Sequence, residues 1–159
     1  MNTDRLWSPA FINYGVSSGI FYMTQYVLVA ALPIILTAEL GGSALDAGLA
    51  MTYFQIGTIL CRPFAGRLID GLNKRITLLI SSVLFFIIMG LFNLTTSLQT
   101  IFVLRGVHGA IFALGTTVMA ALAVVVLPAS RKGEGINMFA VFSNIAMVLG
   151  HAVGLYALT

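Results

Sequence analysis

Five long apolar stretches determine what this sequence can fold into. Each has about 20 residues or more, which is the length of helix needed to cross a bilayer core about 30 Å thick. They run from about 10 to 37, 45 to 64, 76 to 95, 101 to 127 and 136 to 159. A chain in lipid must satisfy its backbone hydrogen bonds internally, and the alternating polarity of a membrane β-barrel is absent. The sequence therefore predicts an all-α integral membrane protein with five transmembrane helices.

The composition supports a lipid environment and excludes several other classes. Hydrophobic residues make up 59% of the chain and charged residues 8%, against roughly 25% charged in soluble domains. The eight basic residues are scattered between apolar runs, so they form no basic face for nucleic acid. A single cysteine, Cys61, gives neither an internal disulfide nor metal-ligand spacing. We expect the lipid bilayer as a partner, and no nucleic acid, metal or cofactor.

The distribution of Lys and Arg over the connecting segments indicates the orientation. Seven of the eight basic residues precede span one, lie at the end of span two or just after it, or lie between spans four and five: Arg5, Arg62, Arg67, Lys74, Arg75, Arg131 and Lys132. The positive-inside rule makes that side cytoplasmic. The sequence predicts a multi-pass protein of the cell membrane with its N-terminus in the cytoplasm.

The segment between spans two and three combines glycines, one acidic residue and paired bases. Residues 66–75 read GRLIDGLNKR, which resembles the motif G-x-L-x-D-[RK]-x-G-[RK]-[RK] of the major facilitator superfamily of transporters. Gly71 replaces a usual basic residue and Asn73 a usual glycine, and the preceding R-P-F-A run also resembles members of the family. The resemblance implies a conformational-switch loop in which the acidic residue engages the opposing domain when the cytoplasmic side closes. Its candidate residues are Gly66, Asp70, Lys74 and Arg75.

A second resemblance lies in span four, where residues 105–109 read RGVHG. This is similar to the family motif R-x-x-Q-G, with His108 in place of Gln, and the family's Arg is proposed to take part in proton coupling. Arg105 and Thr116 fall within about 60° on a helix, with His108 beside them. A charge at mid-membrane costs at least about 2.5–3.5 kcal/mol and usually faces a partner or a wet cavity. Arg105 and His108 are the proton-coupling candidates; the alternatives are an arginine anchored at the interface and a histidine bonded to a neighbouring helix.

Polar residues recur on one side of the first and fifth spans. In span five they are seven residues apart, while Ala146, Gly150 and Gly154 lie opposite and predict a small-residue packing surface. These stripes fit the lining of a central cavity or ordinary hydrogen bonding between helices. The cavity candidates are Asn13, Ser17, Gln25, Thr116, Asn137, Asn144 and His151.

The fifth span also bears on function. Residues 150–154 read GHAVG and resemble the G-P-x-x-G motif of drug and metabolite antiporters, with His151 in place of Pro. With the span-four motif, this implies proton-coupled efflux of a small molecule. A solute symporter of the same superfamily is one alternative, and a small membrane assembly protein without transport activity is another. The metalloprotease motif H-E-x-x-H does not occur, and we expect no enzyme.

The family fold pairs two six-helix domains around the substrate site, whereas this sequence supplies five spans. We expect residues 1–159 to form an incomplete N-terminal domain: a fragment, a truncated product or one piece of a split gene. The resemblance implies that its partners are protons, a small-molecule substrate and the missing C-terminal half. The chain alone is expected to be inactive, and the sequence does not indicate the substrate.

Overall fold

The computed structural model describes residues 5–158, which are almost entirely helical. The helices are α1 (Pro9–Ala38), α2 (Ala44–Gly71), α3 (Lys74–Phe92), α4 (Leu98–Val125) and α5 (Lys132–Tyr156), with a short 3-10 helix at Ala129–Arg131. Five helices of the described part are long and apolar enough to cross a membrane. They confirm the predicted all-α fold. Thr159, the last residue of the predicted fifth span, lies outside the described residues.

The boundary between α2 and α3 differs from the simple loop that the polar segment suggested. Helix α2 continues to Gly71 because Ala65 and Ile69, four residues apart, remain buried on one face. Asn73 then begins α3, since its side-chain oxygen accepts hydrogen bonds from the backbone N–H groups of Arg75 (3.0 Å) and Ile76 (3.4 Å). An N-cap of this kind satisfies donors that the first helical turn leaves unpaired. Asparagine at the family's usual glycine position thus has a structural role.

A reciprocal cap fixes the beginning of α2. The backbone N–H of Asp46 donates to the Ser43 hydroxyl at 3.3 Å, and the Ser43 N–H donates to the Asp46 carboxylate at 2.8 Å. This is a capping box, which pairs two donors at a helix start. Because this cap fixes the first residue of α2, it also fixes the position along the helix of the residues that contact α4.

The described residues form two compact units. The first comprises the chain up to Ala30 together with the chain from Met119 onward. Its apolar core contains Leu6, Phe11, Ala123 and Leu127. These side chains lie among further aromatic residues of α1 and α5, including Phe142.

Close packing of α5 on α1 completes this first unit. A side-chain carbon on Gly150 would lie 2.6 Å from the Met23 carbonyl oxygen, and one on Gly154 would lie 2.7 Å from that of Val27. Ala146 is buried as well. The predicted small-residue surface of α5 is therefore confirmed, because only residues with little or no side chain allow the backbones this approach.

The second unit comprises Ala31–Val118 and centres on the contact of α2 with α4. One part of its core contains Leu36, Ala50 and Ile101. Further along, a side chain on Gly57 would collide with the Gly106 carbonyl of α4. The two helices thus meet backbone to backbone, and this contact determines which α2 groups reach the buried face of α4.

Large apolar side chains also cover the outside of the helices. Ile59 on α2, Leu79 on α3, Val103 on α4 and Val148 on α5 are all about two-thirds exposed. Soluble monomers rarely expose apolar patches on this scale. We infer that these faces contact lipid, as the composition predicts.

Candidate functional site

Arg105 lies in the second turn of α4 and is fully buried, with no exposed surface. The side chain therefore does not extend from the outer surface of α4. The side chain instead turns inward against α2. A guanidinium has five N–H donors and no acceptor, so burial requires neighbouring groups that accept hydrogen bonds.

Several of the groups that receive Arg105 are uncharged. Its Nε donates to the Ala50 carbonyl at 3.4 Å, and its Nη2 lies 3.3 Å from the Met51 sulfur. The guanidinium carbon also lies 4.6 Å from the centre of the Phe54 ring. A cation over an aromatic face is attracted by the ring's negative face. The guanidinium group thus contacts a backbone carbonyl, a thioether sulfur and a phenyl ring.

His108 lies one turn after Arg105 and is equally buried. Nη1 of Arg105 approaches Nδ1 of the imidazole to 3.2 Å. Three rings surround this imidazole: Phe54 at 5.1 Å, Phe85 at 5.1 Å and Phe92 at 6.0 Å between ring centres. Within residues 5–158, the other imidazole nitrogen, Nε2, has no hydrogen-bond partner. Arg105 and His108 therefore form one buried polar pair between α2, α3 and α4.

Next to this pair, the Thr58 hydroxyl of α2 lies within hydrogen-bond distance of carbonyl groups on both α2 and α4. The Thr58 hydroxyl donates to the Phe54 carbonyl of its own helix at 3.0 Å and lies 3.2 Å from the Gly109 carbonyl of α4. Gly109 has no room for a side chain, because one would collide with the backbone of Phe54. The contact holds Phe54 against both Arg105 and His108.

The α2 residues around Arg105 were not among the predicted site residues. Their signal was present in the sequence, since Ala47, Ala50, Phe54 and Thr58 recur at helical spacing and are buried. Apolar periodicity identifies such a buried face but not which helix it meets. A backbone carbonyl acceptor such as that of Ala50 leaves no trace in residue identity.

The predicted switch loop spans the end of α2 and the beginning of α3. Gly66 is half-buried and Asp70 is exposed in the last turn of α2, while Lys74 is half-buried and Arg75 exposed in the first turn of α3. A carboxylate at a helix C-terminus interacts unfavourably with the helix dipole. The position of Asp70 is therefore not explained by stabilisation of its own helix.

The predicted cavity residues fall into two groups. Thr116 is buried in the second unit and donates to the Phe112 carbonyl at 2.8 Å. The others belong to the first unit, where the structure places them at different depths. Gln25 is buried, Ser17 and His151 are half-buried, and Asn13, Asn137 and Asn144 are exposed.

Two of the first-unit residues have informative partners. The Ser17 hydroxyl lies 3.4 Å from the Asn13 side-chain oxygen on the same helix. Nδ1 of His151 lies 2.9 Å from the Met147 carbonyl, and the imidazole packs 4.9 Å from the Tyr26 ring across the α1–α5 contact. A carbonyl only accepts, so Nδ1 of His151 donates this hydrogen bond.

Comparison with known proteins identifies the family. The sequence profile of the Major Facilitator Superfamily matches residues 14–159, nearly the whole chain. This chain belongs to the major facilitator superfamily. The match confirms the resemblance carried by residues 66–75 and 105–109, and the five membrane helices fit part of a major facilitator fold. The chain is thus a multi-pass membrane protein of a transporter family.

Individual relatives are distant and longer than this chain. The quinolone resistance protein NorA of Staphylococcus aureus strain MRSA252 is 23% identical over 128 residues, which cover 80% of this chain and 33% of NorA. NorA of strain N315 gives the same values. An uncharacterized MFS-type transporter of Pseudomonas aeruginosa strain LESB58 is 39% identical over 54 residues, or 34% of this chain and 13% of that protein. The chain spans about a third of the length of these NorA relatives.

Proposed function

We propose that this chain acts as part of a carrier that exports a small molecule across the cell membrane in exchange for protons. The observation that carries the proposal is the burial of Arg105 inside a membrane helix among uncharged acceptors. A cation fixed inside a membrane helix exerts a strong field on any proton-binding group that comes near it. Favouring the deprotonated form of an approaching acid is the step that a coupling charge must perform.

The direction of transport is supported by two independent features. The fifth-helix sequence GHAVG resembles the antiporter motif, and the matched relatives from Staphylococcus aureus are named quinolone resistance proteins. Resistance is the expected consequence of export. We extend to this chain only the class of activity, efflux of a small organic molecule.

The proton itself is assigned to a group other than Arg105, since a guanidinium does not release its proton in proteins. Within this chain, His151 is half-buried and its Nδ1 contacts the Met147 carbonyl, so we propose Nε2 as the nitrogen that takes up the proton. A carboxylate in the rest of the carrier is the other candidate, because the predicted spans lack Asp and Glu except Asp46 at the start of the second. Asn13, Ser17, Gln25, Thr116, Asn137 and Asn144 are proposed to supply polar contacts for substrate or water along the pathway.

The loop of residues 66–75 is proposed as the conformational switch. Asp70 is exposed and placed where it does not stabilise its own helix. An opposing helix N-terminus would attract this carboxylate, which suits a contact that forms only when the cytoplasmic side closes. Lys74 and Arg75 flank it and keep the loop on the cytoplasmic side.

Transport by alternating access requires a second domain to move against the first. The chain corresponds to about a third of its NorA relatives. We therefore propose that it transports only as part of a longer carrier and that this chain alone carries no flux.

The test is flux in proteoliposomes that contain the longer carrier. Release of a panel of organic cations and neutral aromatic molecules is measured with and without an imposed pH gradient. Antiport predicts that substrate moves against the direction of proton flow. Movement in the same direction as protons would identify a symporter, and flux that ignores the gradient would contradict proton coupling altogether.

A further inference from the structure

His108 is a buried polar residue with an unusual environment. Its side chain has no exposed surface, and phenyl rings of Phe54, Phe85 and Phe92 surround it. Burying a polar group without a hydrogen bond carries a free-energy cost. A hydrogen bond to at least one of the two imidazole nitrogens is therefore needed to offset this cost.

The contact with Arg105 fixes which nitrogen carries the proton. The guanidinium only donates, so Nδ1 of His108, 3.2 Å from Nη1, must present its lone pair. The proton of a neutral imidazole then lies on Nε2. A proton on Nδ1 as well would set N–H against N–H and place two positive charges within 3.2 Å of each other.

The surroundings of the other nitrogen agree with this arrangement. Nε2 finds no hydrogen-bond acceptor within residues 5–158. Three phenyl rings pack around the imidazole, that of Phe54 from α2 and those of Phe85 and Phe92 from α3. An N–H tolerates aromatic faces better than a lone pair does, because the ring face is electron-rich. Both nitrogens therefore favour the same tautomer.

We infer that His108 is a positioning residue: its neutral imidazole, protonated on Nε2, accepts a hydrogen bond from Arg105 and holds the guanidinium against α2. Arg105 then donates hydrogen bonds to acceptors on two helices: the Ala50 carbonyl of α2 and Nδ1 of His108 on its own helix, α4. These two hydrogen bonds fix the orientation of the planar guanidinium group. While this contact is made, His108 does not act as the proton carrier.

The inference rests on the proposed coupling role of Arg105, but its first test does not. The chain is labelled with ¹⁵N-histidine in lipid nanodiscs, and the imidazole shifts are recorded by NMR. It contains two histidines, so His108→Gln identifies the His108 signals by their loss. We expect the shifts of a neutral ring protonated on Nε2. Shifts of an imidazolium, or of a ring protonated on Nδ1, would overturn the assignment whether or not the protein transports.

The second test is transport by variants in the longer carrier. His108→Gln keeps a carbonyl acceptor for Arg105 and an N–H for the aromatic cage, so gradient-driven flux should remain within about twofold. His108→Leu fills similar space without an acceptor, and flux should fall by about tenfold or more, as expected when a buried charged donor loses its partner. Equal flux in the two variants would contradict a positioning role. If the leucine variant fails to insert, the NMR measurement decides.

Discussion

The Thr58 hydroxyl on α2 lies 3.2 Å from the carbonyl oxygen of Gly109 on α4, across the contact between the two helices. A side chain on Gly57, one residue earlier, would collide with the Gly106 carbonyl of the same partner helix. The backbones of α2 and α4 are therefore in direct contact beside Arg105. The distance from Arg105 to its α2 acceptors depends on this contact.

Adding one methyl group at the contact should separate the helices. In Gly57→Ala the new carbon meets backbone atoms that cannot rotate away, so we expect a loss of roughly 1–3 kcal/mol in unfolding free energy. Gly48→Ala on the same helix is the matched control, because a carbon there meets nothing within 4 Å. The measurement is unfolding in mixed micelles, and equal stability of the two variants would refute the close contact.

The fold was predictable from the sequence because lipid imposes a single simple requirement. Each span must be long, apolar and helical, so length and hydropathy were sufficient to predict α1 to α5. The small-residue face of α5 was also predictable, since Gly150 and Gly154 are four residues apart. Helix ends were less so: Gly66 to Gly71 has loop-like composition yet belongs to α2.

The candidate site was predictable only in part. Helical spacing put Arg105, His108 and Thr116 on one side of α4, and all three are buried. The acceptors of Arg105 could not be predicted, because a backbone carbonyl and a methionine sulfur on another helix follow from packing. The burial of individual polar residues could not be predicted either. Asn13 and Gln25 belong to the same polar side of α1, yet Asn13 is exposed and Gln25 is buried.

The orientation of the chain is a separate prediction, based on the uneven distribution of Lys and Arg. Single cysteines at Glu39 and Gln99 should react with an impermeant thiol reagent from outside intact cells, whereas those at Leu72 and Gly133 should not. Leu72 is preferred to Asn73 because Asn73 caps α3. The background is Cys61→Ala, and outside labelling at position 72 would reverse the orientation.

Loss of the Asp70 charge should separate function from stability. In the longer carrier, Asp70→Asn should lower transport because the proposed contact with the opposing domain is lost. The free energy of unfolding should not fall, and it should rise by at most about 1 kcal/mol, because the variant removes a carboxylate from a helix C-terminus. Glu39→Gln, an exposed carboxylate beyond the end of α1, is the control. Transport at the wild-type rate in Asp70→Asn would reduce the loop to a topology signal.

The most direct test of the account is substrate flux through Arg105 variants of the proposed carrier, in proteoliposomes with and without a pH gradient. Arg105→Ala should abolish the gradient-dependent component, and Arg105→Lys should retain part of it because the charge remains while the planar fork is lost. Val107→Ala, on the exposed side of α4, should behave as wild type. If Arg105→Ala inserts normally and keeps the full gradient-dependent flux, Arg105 is a structural residue and proton coupling lies elsewhere.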